Sequence, residues 1–170
     1  LLDNMHLDRL DVALIAALRD NPRAGPLELS RVTQVARATV QSRLAKLEEA
    51  GVITGYGPEV DLVAAGYPVQ AFVTLEIAQG NLDDVADELT AQPAVLEAYA
   101  TTGSSDVVCR LAASSHDDLQ RALLALNRSP SIARSTSVVV LSVVVPPRSV
   151  PVLEAAPDGR SLTAAGILDE

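Results

Sequence analysis

Apolar residues in the first fifth of the chain recur every three or four positions. Leu7, Leu10, Leu14 and Leu18, with Val12, Ile15 and Ala17 beside them, predict an amphipathic helix. Asn21, Pro22 and Gly25 end it. "PLELSRVT" predicts a short second helix, with Pro26 in the first turn where a missing N–H is tolerated. A third runs from about Ala36 to Ala50 and stops at Gly51. "GVITGYGPEVDL" then reads as two short strands around a Gly-Pro turn. The order is three helices and a hairpin.

The second half alternates differently. "VQAFVTLEIA" is a strand with Ala71, Val73, Leu75 and Ile77 on one face. "NLDDVADELTAQP" is a helix with Asn81 as N-cap and Asp83 and Asp84 in its first turn. "AVLEAYATTG" and "SDVVCRLAAS" are strands joined at Gly103-Ser104, and "SHDDLQRALLALNRSP" is a helix capped by Ser115, with Asp118 three residues on. "RSTSVVVLSVVV" is a last strand, apolar on both faces from Val138 to Val145. Strand-helix-strand occurs twice, the ferredoxin-like βαββαβ plan. Two helices cover one face of such a sheet, so the two-sided strand calls for a partner on the other and predicts an oligomer. The expected division is 1–60, a linker 61–68, a sheet domain 69–146 and a Pro-rich extension 147–170.

Composition narrows the function classes. The chain has 170 residues, 48% of them hydrophobic, with one Phe, three Tyr and no Trp. The core is therefore aliphatic, and Phe72, Tyr56, Tyr67 and Tyr99 are too few for single-strand binding by base stacking. No apolar run reaches the roughly 20 residues that span a bilayer, and "LLDNMHLDRL" carries acids at once, unlike a signal peptide. Cys109 is alone, which excludes an internal disulfide and a thiolate zinc site, and its alternation with Val107 and Leu111 reads as core. A reducing cytoplasm is the expected compartment. No Ser-His-Asp set, phosphate-binding Gly loop or metal cluster is evident; His6 and His116 read as solvated, and no cofactor is expected.

Charge singles out one segment. Residues 1–60 hold 7 basic and 8 acidic residues, whereas 61–170 hold 6 and 14 within a chain of net charge −9. Only the first half can approach a polyanion. Between Glu28 and Glu48 there is no acid, while Arg31, Arg37, Arg43 and Lys46 are all basic. On a helical wheel Val40, Leu44 and Leu47 face inward. Ala38, Thr39, Ser42, Ala45 and Lys46 face out, with Gln41 and Arg37 on a flank. Small side chains let a helix enter a groove, Thr, Gln and Ser reach base edges or phosphates, and Arg and Lys pair with phosphates. A helix-turn-helix followed by a hairpin makes this a double-stranded DNA-binding face built from Arg37, Thr39, Gln41, Ser42, Arg43 and Lys46. Arg43 lies beside the buried face, where pairing with Glu48 or Glu49 is the alternative to a phosphate.

Residues 7–67, from "LDRLDVALIAALRDNPR" through "VQSRLAKLEEAGVITGY" to Gly66, resemble the N-terminal domain of the Lrp/AsnC family of bacterial and archaeal regulators. "TTGSSD", Thr101 to Asp106, resembles its ligand-domain loop, and the likeness extends over roughly residues 7–145. It implies an α+β chain: an N-terminal winged helix-turn-helix and a C-terminal βαββαβ domain. It further implies a homodimer through the sheet domains, assembling to a tetramer or octamer. DNA binding falls to helix Ala36–Ala50, and an amino-acid effector sits between ligand domains. By position, Gly103, Ser104, Ser105 and Asp106 form the effector loop, with Thr136 and Ser137 beside it. Asp106 suits the effector's ammonium; backbone N–H groups at Gly103-Ser104 and hydroxyls suit its carboxylate. Asp106 capping its own turn is the plainer reading. The family usually carries Gly and then Ser ahead of the recognition helix, where this chain has Gln34 and Ala36, which weakens the N-cap. The expected function is regulation of amino-acid metabolism genes. The alternatives are a tetrapyrrole-binding decarboxylase of the same architecture and a DNA-organising protein without a specific operator, which the acidic total charge disfavours.

Overall fold

The computed structural model describes residues 5–78 and 82–155. Their contacts form two compact units. One comprises the residues up to Pro58 together with those from Pro146 onward; the other is Glu59–Val145.

The first unit contains α1 (Arg9–Asp20), α2 (Pro26–Thr33), α3 (Arg37–Glu49) and a short α6 (Val150–Ala155). Asp8 caps α1: its Oδ1 accepts from the N–H groups of Leu10 and Asp11, and Asp11 Oδ2 accepts from the Asp8 N–H at 3.0 Å. Both carboxylates thereby satisfy amides left open by the helix start. Asn21 ends α1 and donates its side-chain amide to Glu28 Oε1 at 2.9 Å. Leu14, Leu29 and Val40, one from each helix, are buried together, with Leu10, Ala17, Leu18, Val35 and Leu44 around them. α6 rests on α1, and Val150 is buried. The described part of the extension beyond residue 147 is thus built into the first unit.

α3 ends as expected: Gly51 takes φ +70°, and the N–H groups of Val52 and Ile53 return to the Leu47 carbonyl. The expected hairpin does not follow. Residues 52–60 contain no strand and are exposed apart from a half-buried Ile53. Pro58 lacks a ladder donor, and a two-stranded ribbon with no face to bury is marginal. Tyr56 instead donates its hydroxyl to Glu48 Oε1 at 2.6 Å. Partial desolvation of the ring's polar end and the Glu48 carboxylate push its phenol up to about 12.

The second unit carries β1 (Val69–Ile77), α4 (Leu82–Ala91), β2 (Val95–Ala100), β3 (Val107–Ala113), α5 (His116–Asn127) and β4 (Ile132–Val139). The sheet is antiparallel with order β2-β3-β1-β4, the ferredoxin-like arrangement. Val69, Ala71, Val73 and Leu75 alternate inward and meet Val107, Cys109 and Leu111, under Val85 and Leu89 of α4 and Leu119, Ala122 and Leu126 of α5. Cys109 is fully buried, which pushes its thiol up to about 11. Ser115 caps α5 by accepting from the Asp118 N–H; Asn81, expected to cap α4, lies outside the described residues.

Residues 61–68, expected as a linker, hold a turn: Asp61 Oδ1 accepts from the N–H groups of Val63 and Ala64, and Tyr67 N–H donates to the Leu62 carbonyl at 2.7 Å. Gly66 closes this turn at φ +93°. The last strand stops at Val139, and the Val140 N–H makes one further bond to the Gln70 carbonyl. The register would set Leu141 opposite Val69, the first residue of β1, so nothing in β1 faces the chain from Ser142 onward. Leu141 and Val144 are 98% and 90% exposed, so this apolar stretch is unpaired in one chain.

Candidate functional site

α3 owes its orientation to the turn before it. Gln34 ends α2 in the left-handed conformation, φ +57°, and Ser30 Oγ donates to the Val35 carbonyl at 2.6 Å. Val40 and Leu47 are buried and Leu44 half-buried, which leaves Arg37, Ala38, Thr39, Gln41, Ser42, Ala45 and Lys46 exposed. The outer face is therefore small, polar and basic, with no acid until Glu48. Ala36 occupies the N-cap with no side-chain hydrogen bond.

Arg43 does not belong to that face. Its Nη1 donates to Asp8 Oδ2 at 2.6 Å and to Asp11 Oδ1 at 3.2 Å. Asp11 is fully buried. A carboxylate removed from water is costly unless a cation meets it, and Arg43 is that cation. The Asp8 bond, with the charges of both aspartates, holds the guanidinium above its ordinary pKa. Neither Glu48 nor Glu49 is its partner. The missed residues are Asp8 and Asp11. The pattern of an aspartate followed three positions on by another, ahead of an apolar run, was the signal available for them.

In the second unit Thr101–Asp106 forms a closed turn. Thr101 N–H donates to the Asp106 carbonyl, Thr101 Oγ1 donates to the Ser105 carbonyl, and Gly103 takes φ +121°. Asp106 is tied to the end of β1: its N–H donates to the Leu75 carbonyl and its Oδ2 accepts from the Ile77 N–H at 2.7 Å. The N–H groups of Gly103 and Ser104 meet no acceptor among the described residues. Gly103, Ser104 and Asp106 are exposed and Ser105 half-buried. Thr136 pairs with Thr74 and Ser137 with Val73. Adjacent strand residues point to opposite faces, so the two hydroxyls do not converge. Thr136 shares the helix-free face with Thr74, Val108 and Tyr99; Ser137 is on the other.

Residues 7–54 match a winged helix-turn-helix DNA-binding family, and residues 70–150 match the Lrp/AsnC ligand binding domain. The HTH-type transcriptional regulator FL11 of Pyrococcus horikoshii is 30% identical over 135 residues, 79% of this chain and 89% of its own length. The chain belongs to the Lrp/AsnC family of transcriptional regulators. AsnC of E. coli superposes with a TM-score of 0.75 at 26% identity, over 86% of this chain and all of its own. A Neisseria meningitidis regulator solved as its L-Met complex gives 0.77 at 24% identity, over 82% and 93%, and shares the fold.

This Lrp/AsnC regulator accordingly pairs a helix-turn-helix with a ligand-binding α+β domain. No described helix is long and apolar enough to cross a membrane, and no described group of His, Cys, Asp and Glu is placed to hold a metal ion.

Proposed function

We propose that this regulator binds double-stranded DNA through Arg37, Thr39, Gln41, Ser42 and Lys46 of α3, and that it controls genes of amino-acid metabolism. The observation that carries this is the acid-free outer face of α3 in a chain of net charge −9. Ala38 and Ala45 let the helix approach closely, Arg37 and Lys46 neutralise phosphates, and the small polar groups reach base edges. Arg43 acts from behind, as a strut to α1. The regulator works by binding, without catalysis, in the cytoplasm.

The effector in this reading is a small amino acid at the Gly103–Asp106 turn. The open N–H groups of Gly103 and Ser104 suit its carboxylate, and the charge of Asp106 suits its ammonium. The Neisseria relative solved with L-Met supports an amino acid as the class. Thr136 lies on the helix-free face and Ser137 on the other, so a site using both needs a second subunit. The exposed Val138, Leu141 and Val144 support a homodimer through this edge, and a tetramer or octamer built from it.

DNA binding at several salt concentrations tests the interface. Arg37→Ala and Lys46→Ala should each lower the slope of log affinity against log salt by about one. Unchanged affinity and slope in both folded variants would remove α3 from the interface. Asp106→Asn, which keeps an acceptor for Ile77 but loses the charge, should weaken amino-acid binding and spare DNA binding.

A further inference from the structure

The second unit contains a cavity of about 570 Å3 that the preceding reading does not use. Its lining comes from four places: the 61–67 turn, the Gln92–Ala94 connection between α4 and β2, the start of β2 with the end of β3, and one stripe of α5. The Thr101–Asp106 turn joins the other ends of β2 and β3. A strand of six residues at about 3.3 Å each separates the two places by about 20 Å.

Small residues make the space. Ala112, Ala113, Ala122 and Ala125 line it, where longer side chains would fill it; Leu62 and Leu96 add apolar surface. The volume lies within the roughly 300–1,000 Å3 of small-molecule sites. Charge is confined to the start of the α5 stripe. Asp118 and Arg121 both line the cavity and pair with each other, one turn apart. Ser114 and Ser115 also donate to Asp118 Oδ2. Arg121 gives Asp118 one nitrogen, Nη2, which leaves other guanidinium donors for a ligand.

The geometry points to a binding site for a small aliphatic carboxylate, its hydrocarbon body against the alanines and its carboxylate on Arg121. Largely apolar walls, with neutral polar groups on Tyr67, Gln92 and Ser114 and one cation at the mouth, select that class: a charged body would meet no counter-charge along the alanines, and a neutral one would leave the guanidinium unused. The carboxylate arrives either on an apolar amino acid or on its deaminated acid. For the amino acid, Asp118 beside Arg121 offers the ammonium its counter-charge. The site lies within one protomer and stands independently of the effector turn.

Calorimetry of the full chain against leucine and 4-methylpentanoate tests this. At least one should bind at millimolar concentration or below. Arg121→Gln, a change at an exposed side chain, should weaken binding at least tenfold, and Ala125→Leu should abolish it by filling the space. Asp106→Asn should leave the binding of 4-methylpentanoate intact, since that acid carries no ammonium for the turn. Leucine binding with 4-methylpentanoate silent supports the site with Asp118 as ammonium partner, provided Arg121→Gln weakens it. Binding that Asp106→Asn removes and Arg121→Gln leaves unchanged would overturn the inference and sustain the effector turn. Absence of binding by both ligands would also overturn it, and would leave the DNA interface untouched.

Discussion

Arg43 Nη1 lies 2.6 Å from Asp8 Oδ2, which fastens the middle of α3 to the start of α1. The same nitrogen meets the buried Asp11 at 3.2 Å, so one guanidinium answers two carboxylates. Removing it strands a charge in the interior. Arg43→Ala should therefore lower the urea midpoint of the first unit, because the buried Asp11 loses its cation. Its DNA affinity should fall only as far as folding and α3 placement fall, with the salt slope unchanged. Urea denaturation beside anisotropy titrations checks both. A normal midpoint with a slope lowered by one would return Arg43 to the phosphate-binding set.

The same triangle makes stability pH-dependent. Burial raises the Asp8 carboxyl, but the Asp11 amide and Arg43 outweigh it and hold its pKa below the usual carboxylate value. A group depressed on folding contributes stability above its unfolded value, near 3.9, and loses it as pH falls through the folded value. The Asp8 side chain is 44% exposed, so solvent screens the pair and the effect is modest. Asp8→Asn keeps a good cap and removes the charge. Its stability deficit should be present at pH 7 and shrink towards pH 3, as read from urea midpoints. A deficit constant across that range would assign the loss to capping geometry.

α3 begins without a side-chain cap. Ala36 has the extended backbone of an N-cap, φ −60° and ψ 142°, but no oxygen to offer the open amides of the first turn. Ala36→Ser supplies one and should stabilise the first unit by about 1 kcal/mol, roughly 5 °C in its melting temperature for a unit of this size. Gln34 is the second weak point, since a left-handed residue other than Gly is strained by about 1 kcal/mol. Gln34→Gly should gain less, because glycine also frees the unfolded chain. Thermal melts of the two variants rank the effects; a lower melting temperature for Ala36→Ser would show that the hydroxyl cannot reach the first-turn amides.

What the sequence made legible follows from local periodicity. Leu14, Val40 and Leu47 were readable as inward positions because a helix repeats every 3.6 residues, and the alternation of Ala71, Val73 and Leu75 marked β1 equally well. Ser115 and Asp118 were readable as a cap because they touch within one turn. The role of Arg43 was not, since its partners lie 35 and 32 residues earlier and only the tertiary placement of α1 against α3 joins them. The hairpin at 51–62 was expected from its Gly and Pro residues, but turn residues do not create the buried face that strands need. The end of β4 was misjudged for a related reason: Val143–Val145 has strand-forming side chains, yet β1 begins at Val69, opposite Leu141, and offers no partner further on. Nothing local in "TTGSSD" reveals that Asp106 bonds to Ile77, 29 residues away.

The last relationship concerns α6. A regulator whose helix-turn-helix ended at Pro58 would leave the outer side of α1 open, but here the chain returns after β4 and places α6 on it. Val150 is 7% exposed, so the contact buries nearly a whole aliphatic side chain, worth about 1.5–3 kcal/mol. Val150→Asp puts a charge into that contact with no cation from α6 itself, whose only ionisable side chain is Glu154. It should destabilise the first unit by about 2–4 kcal/mol, the lost burial plus the cost of an unpaired polar group. Val150→Ala should cost about half as much. The loss belongs to the first unit, so amide exchange should accelerate in α1 and α3 and stay unchanged in β1 and β3. Equal acceleration in both units would show that they unfold as one. No acceleration in α1 would show that α6 merely rests there.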